Sequence, residues 1–160
     1  MQEAIRVAWL YDTQVVESIV NSSTIAPFVL EGEAFSAAPP SNNMLYLGVY
    51  KATDLVGVFL FVRRLKHMWE VHTCLTTACR GKLAIDAGKL ALVKLFTDVD
   101  IECLSTFVPD LYLHVQAYTK RMGFTLLGIM PRSFNHLGQQ QDCYFYATTR
   151  EEVLSCLQQL

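Results

Sequence analysis

Two ionisable side chains, Glu70 and His72, stand two positions apart in a stretch with the pattern of a β-strand. From Trp69 to Leu75 a strand period is visible: Trp69, Val71, Thr73 and Leu75 point one way, Met68, Glu70, His72 and Cys74 the other. A carboxylate and an imidazole one pleat repeat apart are uncommon on so apolar a strand. The pair is a candidate for moving a proton, with Glu70 either the base or the residue that orients His72. The plainer alternative is a polar pair on a half-exposed strand. A few residues on, Arg80 and Lys82 bring two cations to the point where a helical pattern begins. A helix start leaves backbone N–H groups without partners, and its dipole favours negative charge. Arg80, Gly81 and Lys82 therefore mark a candidate phosphate site. Cys74 and Cys79, next to His72, offer a nucleophile alternative, although buried thiols are commonly inert.

The elements that must position these groups follow from the rest of the chain. After the Thr76–Lys82 turn, Leu83, Ala84, Ala87, Leu90, Ala91, Lys94 and Leu95 fall at helical spacing, ending near Phe96. Upstream, Met44–Tyr50 and Leu55–Arg63 form a hairpin, and the second run is apolar on both faces, as an interior strand requires. A first strand is expected within Met1–Leu10, and Asp12 or Thr13 can cap a helix carrying Val15, Val16, Ile19 and Val20. Residues 21–43 read as a long loop with a short helix near Ile25–Leu30. Downstream come a strand over Asp98–Phe107, stopped by Pro109 and parallel to the Glu70 strand, and a helix over Leu111–Met122 ended by Gly123. Strands at Phe124–Met130 and Cys143–Thr148 flank a loop containing Gly138. A last helix runs from Arg150 to Leu160 with Val153, Leu154 and Leu157 on one face. Tyr46, Phe59, Phe61 and Trp69 belong to the core. The pattern is that of a mixed sheet with helices on both faces.

Composition bounds the reading. The 160 residues fit one domain, 52 % are apolar and 18 % charged, and the net charge is −2. That balance argues against nucleic-acid binding. Five cysteines without a Cys-x-x-Cys pair point to reduced thiols in an intracellular protein, and their spacing with His72 fits no standard zinc pattern, so no metal is expected. No leader pattern is visible, and the longest apolar run, Leu55–Val62, is too short to span a bilayer. A soluble, cytoplasmic protein without membrane contact is expected.

The order of elements resembles that of the GNAT superfamily of acyl-CoA N-acyltransferases, and two local patterns support it. Arg80-Gly81-Lys82 between a strand and a long apolar helix is similar to that family's pyrophosphate loop, and Ala117–Gly128, with Gly123-Phe124, resembles its closing helix and strand. The fold implied is α/β (α+β): a mixed, mostly antiparallel central sheet with a splayed parallel pair and helices on both faces. The resemblance also implies acetyl-CoA as co-substrate, with backbone groups of Leu75 and Thr77 on the pantetheine arm and thioester. The amides from Arg80 through Ile85, across Gly81, Lys82, Leu83 and Ala84, would face the pyrophosphate. Glu70 and His72 would supply the base, and Tyr118 the proton for the departing thiolate. The chain departs from the family pattern at named positions. Leu83 and Ile85 replace the loop glycines, Thr119 stands where the family's tyrosine is common, and Asp110 and His114 stand near its usual asparagine. Asp110 is otherwise expected to cap the following helix.

Two functions of different class follow. One is an N-acetyltransferase acting on an amine. The other is an inactive acyltransferase-like fold with a structural, virion-assembly or interaction role, since Glu-Val-His followed by Arg-Gly also resembles acyltransferase-like proteins of bacteriophages. The second would place the protein in a virion. The apolar content and amphipathic last helix leave room for a homo-oligomer or larger assembly.

Overall fold

A computed structural model of the protein describes residues 4–158. Its centre is a seven-stranded sheet of order β1-β2-β3-β4-β5-β7-β6. The elements are β1 (Ile5–Trp9), α1 (Thr13–Val20), α2 (Ala26–Val29), β2 (Met44–Lys51), β3 (Asp54–Leu65), β4 (Met68–Leu75), α3 (Lys82–Asp98), β5 (Cys103–Pro109), α4 (Leu113–Arg121), β6 (Thr125–His136), β7 (Gln139–Thr149) and α5 (Arg150–Gln158). Neighbours pair antiparallel except β4 and β5, which are parallel because α3 carries the chain back between them. The expected mixed, mostly antiparallel sheet with one parallel pair is what the chain forms.

Alternation along the central strands splits the core in two. Leu47, Val49, Phe59, Phe61, Trp69, Val71 and Leu75 face α3, α4 and α5. Tyr46, Val58, Leu60 and Cys74 face α1 and α2, where Val16, Val20 and Ile25 cover them. β3 feeds both layers and is buried on both faces from Val56 to Phe61. α1 begins where expected, with the Asp12 carboxylate accepting from the amides of Gln14 and Val15 at 3.0 and 3.4 Å.

Several sequence expectations are corrected. The buried stripe of α3 is Ala87, Gly88, Ala91, Leu92, Leu95 and Phe96, while Leu90 is 40 % exposed. Small residues win the sheet side because α4 packs close beneath the helix: a Cβ on Gly88 would lie 2.2 Å from the Tyr118 hydroxyl. α3 runs to Asp98, so β5 starts only at Cys103 and includes Pro109. The strands expected at Phe124–Met130 and Cys143–Thr148 extend into one long hairpin, β6–β7, in place of a loop. Its far half is mostly polar and its pairing breaks between Met130 and Phe134, so no clean alternation marks it. A tight turn closes it, with Leu137 and Gly138 at φ 50° and 84° and the Gly138 amide held by Asn135 Oδ1. β6 is also the sheet's edge, with Leu126, Leu127, Ile129 and Met130 exposed. Asp110 does not cap α4; Tyr112 occupies that place without a side-chain bond. In the first strand Met1–Glu3, and in the last helix the Leu157 side chain and residues 159–160, lie outside the described residues.

Arg150, first residue of α5, fastens the far end of α3. Its guanidinium donates to the carbonyls of Phe96, Ile101 and Val99 at 2.5, 3.1 and 3.2 Å and lies 5.2 Å from the Phe96 ring centroid. These oxygens belong to the end of the helix and the turn after it, where intrahelical donors run out.

Arg150→Ala should therefore cost about 2 kcal/mol and lower the melting temperature by roughly 4–8 °C, read by calorimetry. Gly88→Ala gains helix propensity yet forces Tyr118 aside, and a net loss of about 1–2 kcal/mol is expected in urea unfolding.

Candidate functional site

The site begins where β4 hands over to α3. Thr76 closes the strand, its amide and hydroxyl both bonding the Val56 carbonyl on β3 at 3.0 and 2.9 Å. The Cys79 amide returns to the Thr76 carbonyl at 3.0 Å, and Gly81 follows at φ 58°, ψ −127°. Only glycine adopts that conformation without strain. Gly81 is the N-cap of α3 and no side chain caps the helix; its carbonyl accepts from the Ile85 amide at 3.3 Å. The amides of Lys82, Leu83 and Ala84 thus precede the first intrahelical bond. The space over Gly81 is open, since a Cβ there would meet nothing within 4 Å. Arg80, Gly81 and Lys82 are exposed, and the Lys82 ammonium reaches Asp86 at 2.7 Å. Leu83 and Ile85, which replace glycines of the resembled loop, are half-buried and pack against the main core.

Beside this turn the sheet opens. β4 and β5 pair at Met68/Cys103, Trp69/Leu104 and Glu70/Ser105, and there the ladder stops. β4 runs on to Leu75 and β5 to Pro109. One side-chain link follows, Thr106 Oγ1 donating to the Val71 carbonyl at 2.9 Å. On its other edge β4 stays paired with β3 as far as Leu75/Gly57. The Thr76 amide points to β3, so by alternation the Leu75 amide points into the gap. Sequence and structure agree on this pair of parallel strands that part.

Glu70 occupies the last paired position of β4, 5 % exposed. His72 is the next residue on the same face, its side chain 46 % exposed. The two are brought together: His72 Nε2 lies 2.7 Å from Glu70 Oε1. A third residue joins them that the sequence reading did not single out. Arg64 grips the carboxylate with two bonds of 3.0 Å, Nε to Oε2 and Nη2 to Oε1. Burial pushes the Glu70 carboxyl up, but the hydrogen bonds from His72 and Arg64 outweigh it and hold it at about 2. Arg64 reaches this face by alternation: Val62 pairs with Glu70, and Arg64, two residues on, points the same way, just where the β3–β4 pairing shifts between Arg63/Trp69 and Leu65/Met68. The available signal was the need of a buried carboxylate for a cation on the neighbouring strand.

Tyr118 lies on the opposite side of the sheet from Glu70 and His72, beneath α3. Its hydroxyl donates to the Ala84 carbonyl at 3.2 Å, and burial, with the nearby Cys79 adding to it, raises its pKa. Thr119, the residue in the resembled tyrosine's place, turns its hydroxyl back to the Val115 carbonyl at 2.8 Å. Burial lifts the Cys74 thiol to about 12 and raises that of Cys79, which leaves both in the inert thiol form. Asp110 and His114 sit past the end of β5. The Asp110 carbonyl accepts from Gln116 Nε2 at 3.0 Å, and His114 lies edge-on to Tyr112.

Comparison with known proteins places this geometry. The family model described as "Protein of unknown function (DUF2824)" matches residues 12–159. "Putative protein p31" of Acyrthosiphon pisum secondary endosymbiont phage 1 is 26 % identical over 114 residues, covering 71 % of this chain and 74 % of that protein. Among solved structures, spermidine N-acetyltransferase from Vibrio cholerae in complex with CoA and spermine superposes with a TM-score of 0.78 at 16 % identity, over 94 % of this chain and 98 % of that one. Mycobacterium smegmatis RimJ in complex with CoA-disulfide gives 0.63 at 20 % identity, over 69 % of this chain and 55 % of that one. No helix among the described residues is long and apolar enough to cross a membrane. The resemblance drawn from the element order and the Arg80–Lys82 turn thus holds at the level of the fold. The chain belongs to the DUF2824 family and is built on the GNAT acetyltransferase fold.

Proposed function

We propose that the protein transfers the acetyl group of acetyl-CoA to an amine by direct attack on the thioester. The observation that carries this reading is the gap between β4 and β5 lying beside an uncapped helix start behind Gly81. The amides of Lys82, Leu83 and Ala84 take the pyrophosphate, with Arg80 and Lys82 adding positive charge. The pantetheine arm lies along the bare edge of β4 near Leu75 and Thr77, and the inward Leu75 amide meets the thioester oxygen as it gains charge. The acceptor amine enters from the α1/α2 side, where His72 stands. Its nitrogen bonds the carbonyl carbon, the carbon–sulfur bond breaks, and His72 takes the ammonium proton, directly or through water. The CoA sulfur leaves as thiolate and takes the second proton, the one shed by the newly bonded nitrogen, to become the free thiol.

Of the residues named from sequence, Glu70 takes the second of its two expected roles and Tyr118 takes a different one. Glu70 is already held as a carboxylate by two donors, so it orients His72 and the imidazole is the base. Tyr118 has its hydroxyl committed to Ala84 and supports the first turn of α3. An amine acceptor accords with the spermine of the Vibrio cholerae structure, which belongs to that protein.

A second reading has its own support. Leu83 and Ile85 thicken the loop where close approach to phosphate favours glycine, and a phage protein is among the relatives. It makes the chain an acyltransferase-like fold without the reaction, used in assembly or binding.

Titration with acetyl-CoA separates the two. Under the first, a hundredfold excess over Kd stabilises the fold by about 2.7 kcal/mol, a melting shift of roughly 5–11 °C. No shift at millimolar acetyl-CoA or CoA would establish the second. With turnover in hand, His72→Ala should lower kcat by about 10²–10⁴-fold with acetyl-CoA affinity unchanged. Glu70→Gln should lower kcat less steeply, and equal activity in that variant would remove Glu70 from the mechanism.

A further inference from the structure

Three side chains from two strands form one chain of hydrogen bonds, Arg64–Glu70–His72, and its order has a chemical direction. Arg64 has only donors, and the Glu70 carboxylate has only acceptors. With both oxygens bonded to the guanidinium fork, the carboxylate plane is fixed, and Oε1 is turned to His72 Nε2 at 2.7 Å. An acceptor at that distance keeps the proton on Nε2, so a neutral imidazole presents its lone pair at Nδ1. Arg64 and Glu70 also cancel in charge, which leaves His72 beside a net-neutral partner instead of a bare anion. The neighbours on this face do not compete: the Tyr46 hydroxyl donates to the Ala38 carbonyl, and Glu17 on α1 accepts from the Ala37 amide.

We propose that Arg64 is a positioning residue: by clamping Glu70 it fixes the tautomer of His72, so that Nδ1 is the atom that accepts the proton from the acceptor amine. The inference rests on the acetyl-transfer reading only for what Nδ1 does, and not for which nitrogen carries the proton. Strand alternation serves this end, because Val62 pairs with Glu70 and Arg64, two residues on, faces α1/α2 as Glu70 does. Without Arg64, a carboxylate 5 % exposed has lost its permanent cation. It can then rotate, or take a proton and donate it to the ring, and either event frees His72 to exchange tautomers.

The test is a long-range proton–nitrogen correlation spectrum of the histidine rings of the full chain, recorded without acetyl-CoA in wild type, Arg64→Ala, Arg64→Lys and Glu70→Gln. His72→Ala identifies the resonances. Wild type should show a protonated Nε2 and a bare Nδ1 as two well-separated nitrogen shifts. Arg64→Ala and Glu70→Gln should draw the two shifts together, with Arg64→Lys between, since an ammonium restores charge but not the fork. Kinetically, Arg64→Ala should lower kcat tenfold or more while KM for acetyl-CoA stays within twofold. A wild-type spectrum with the proton on Nδ1 overturns the proposal, as does an unchanged His72 signature in Arg64→Ala. Should Arg64→Ala fail to fold, Arg64→Lys and Glu70→Gln decide the same question. The spectrum decides even if wild type shows no turnover, a result that would count against acetyl transfer alone.

Discussion

A strand paired along one edge and bare along the other is the constraint on which this molecule is built. Backbone N–H and C=O groups rarely go unpaired inside a protein, because losing water without gaining a partner costs about 1–3 kcal/mol per group. From Val71 to Leu75, β4 keeps its ladder to β3 but has none to β5. The sheet could close this seam only by moving β5 with everything beyond it, and β5 is bound to β7 along its length from Cys103 to Pro109. The gap is therefore a property of two rigid half-sheets joined at three residue pairs and one threonine bridge. Such an opening suits an extended ligand that brings its own amides.

The helix beside the gap is set by shape and not by capping. α3 has glycine at its N-cap, no side chain on its first amides and no acidic residue in its first turn. What holds it is its buried stripe from Ala87 to Phe96, with Tyr118 reaching from beneath to the Ala84 carbonyl and Arg150 at the opposite end. A helix held from below and behind keeps its amide end free. Leaving that end unsatisfied is a local cost met by packing elsewhere, a pattern expected where local rules yield to a site.

Much of this arrangement was legible in the residue order. Period-two alternation put Glu70 and His72 on one face and Trp69 and Val71 on the other, because one side of a buried strand must be uniformly apolar where a helix covers it. The break at Thr76–Lys82 marked the turn by its small and basic residues. The extent of β6–β7 was hidden, since its outer half is mostly polar and the irregular pairing between Met130 and Phe134 interrupts any period-two pattern. Arg64 was hidden for another reason. Alternation along β3 sets Arg64 on the face of Glu70, but sequence alone does not supply the cross-strand register that brings the two within reach. Asp110 looked like a cap by residue type, yet the chain needs two more residues after Asp110 before it turns helical at Leu113.

The placing of Arg64 also constrains how this hairpin can drift in length. Losing Arg63 would turn Arg64 to the opposite face and strip Glu70 of its cation, whereas losing Leu65 would leave it in place. Losing a residue from β4 itself would swap the two faces, driving a carboxylate under α3 and exposing an indole. Insertions and deletions are thus tolerated only where they leave both parity and the arginine in place, so the spacing of one strand is tied to the charge buried in the next.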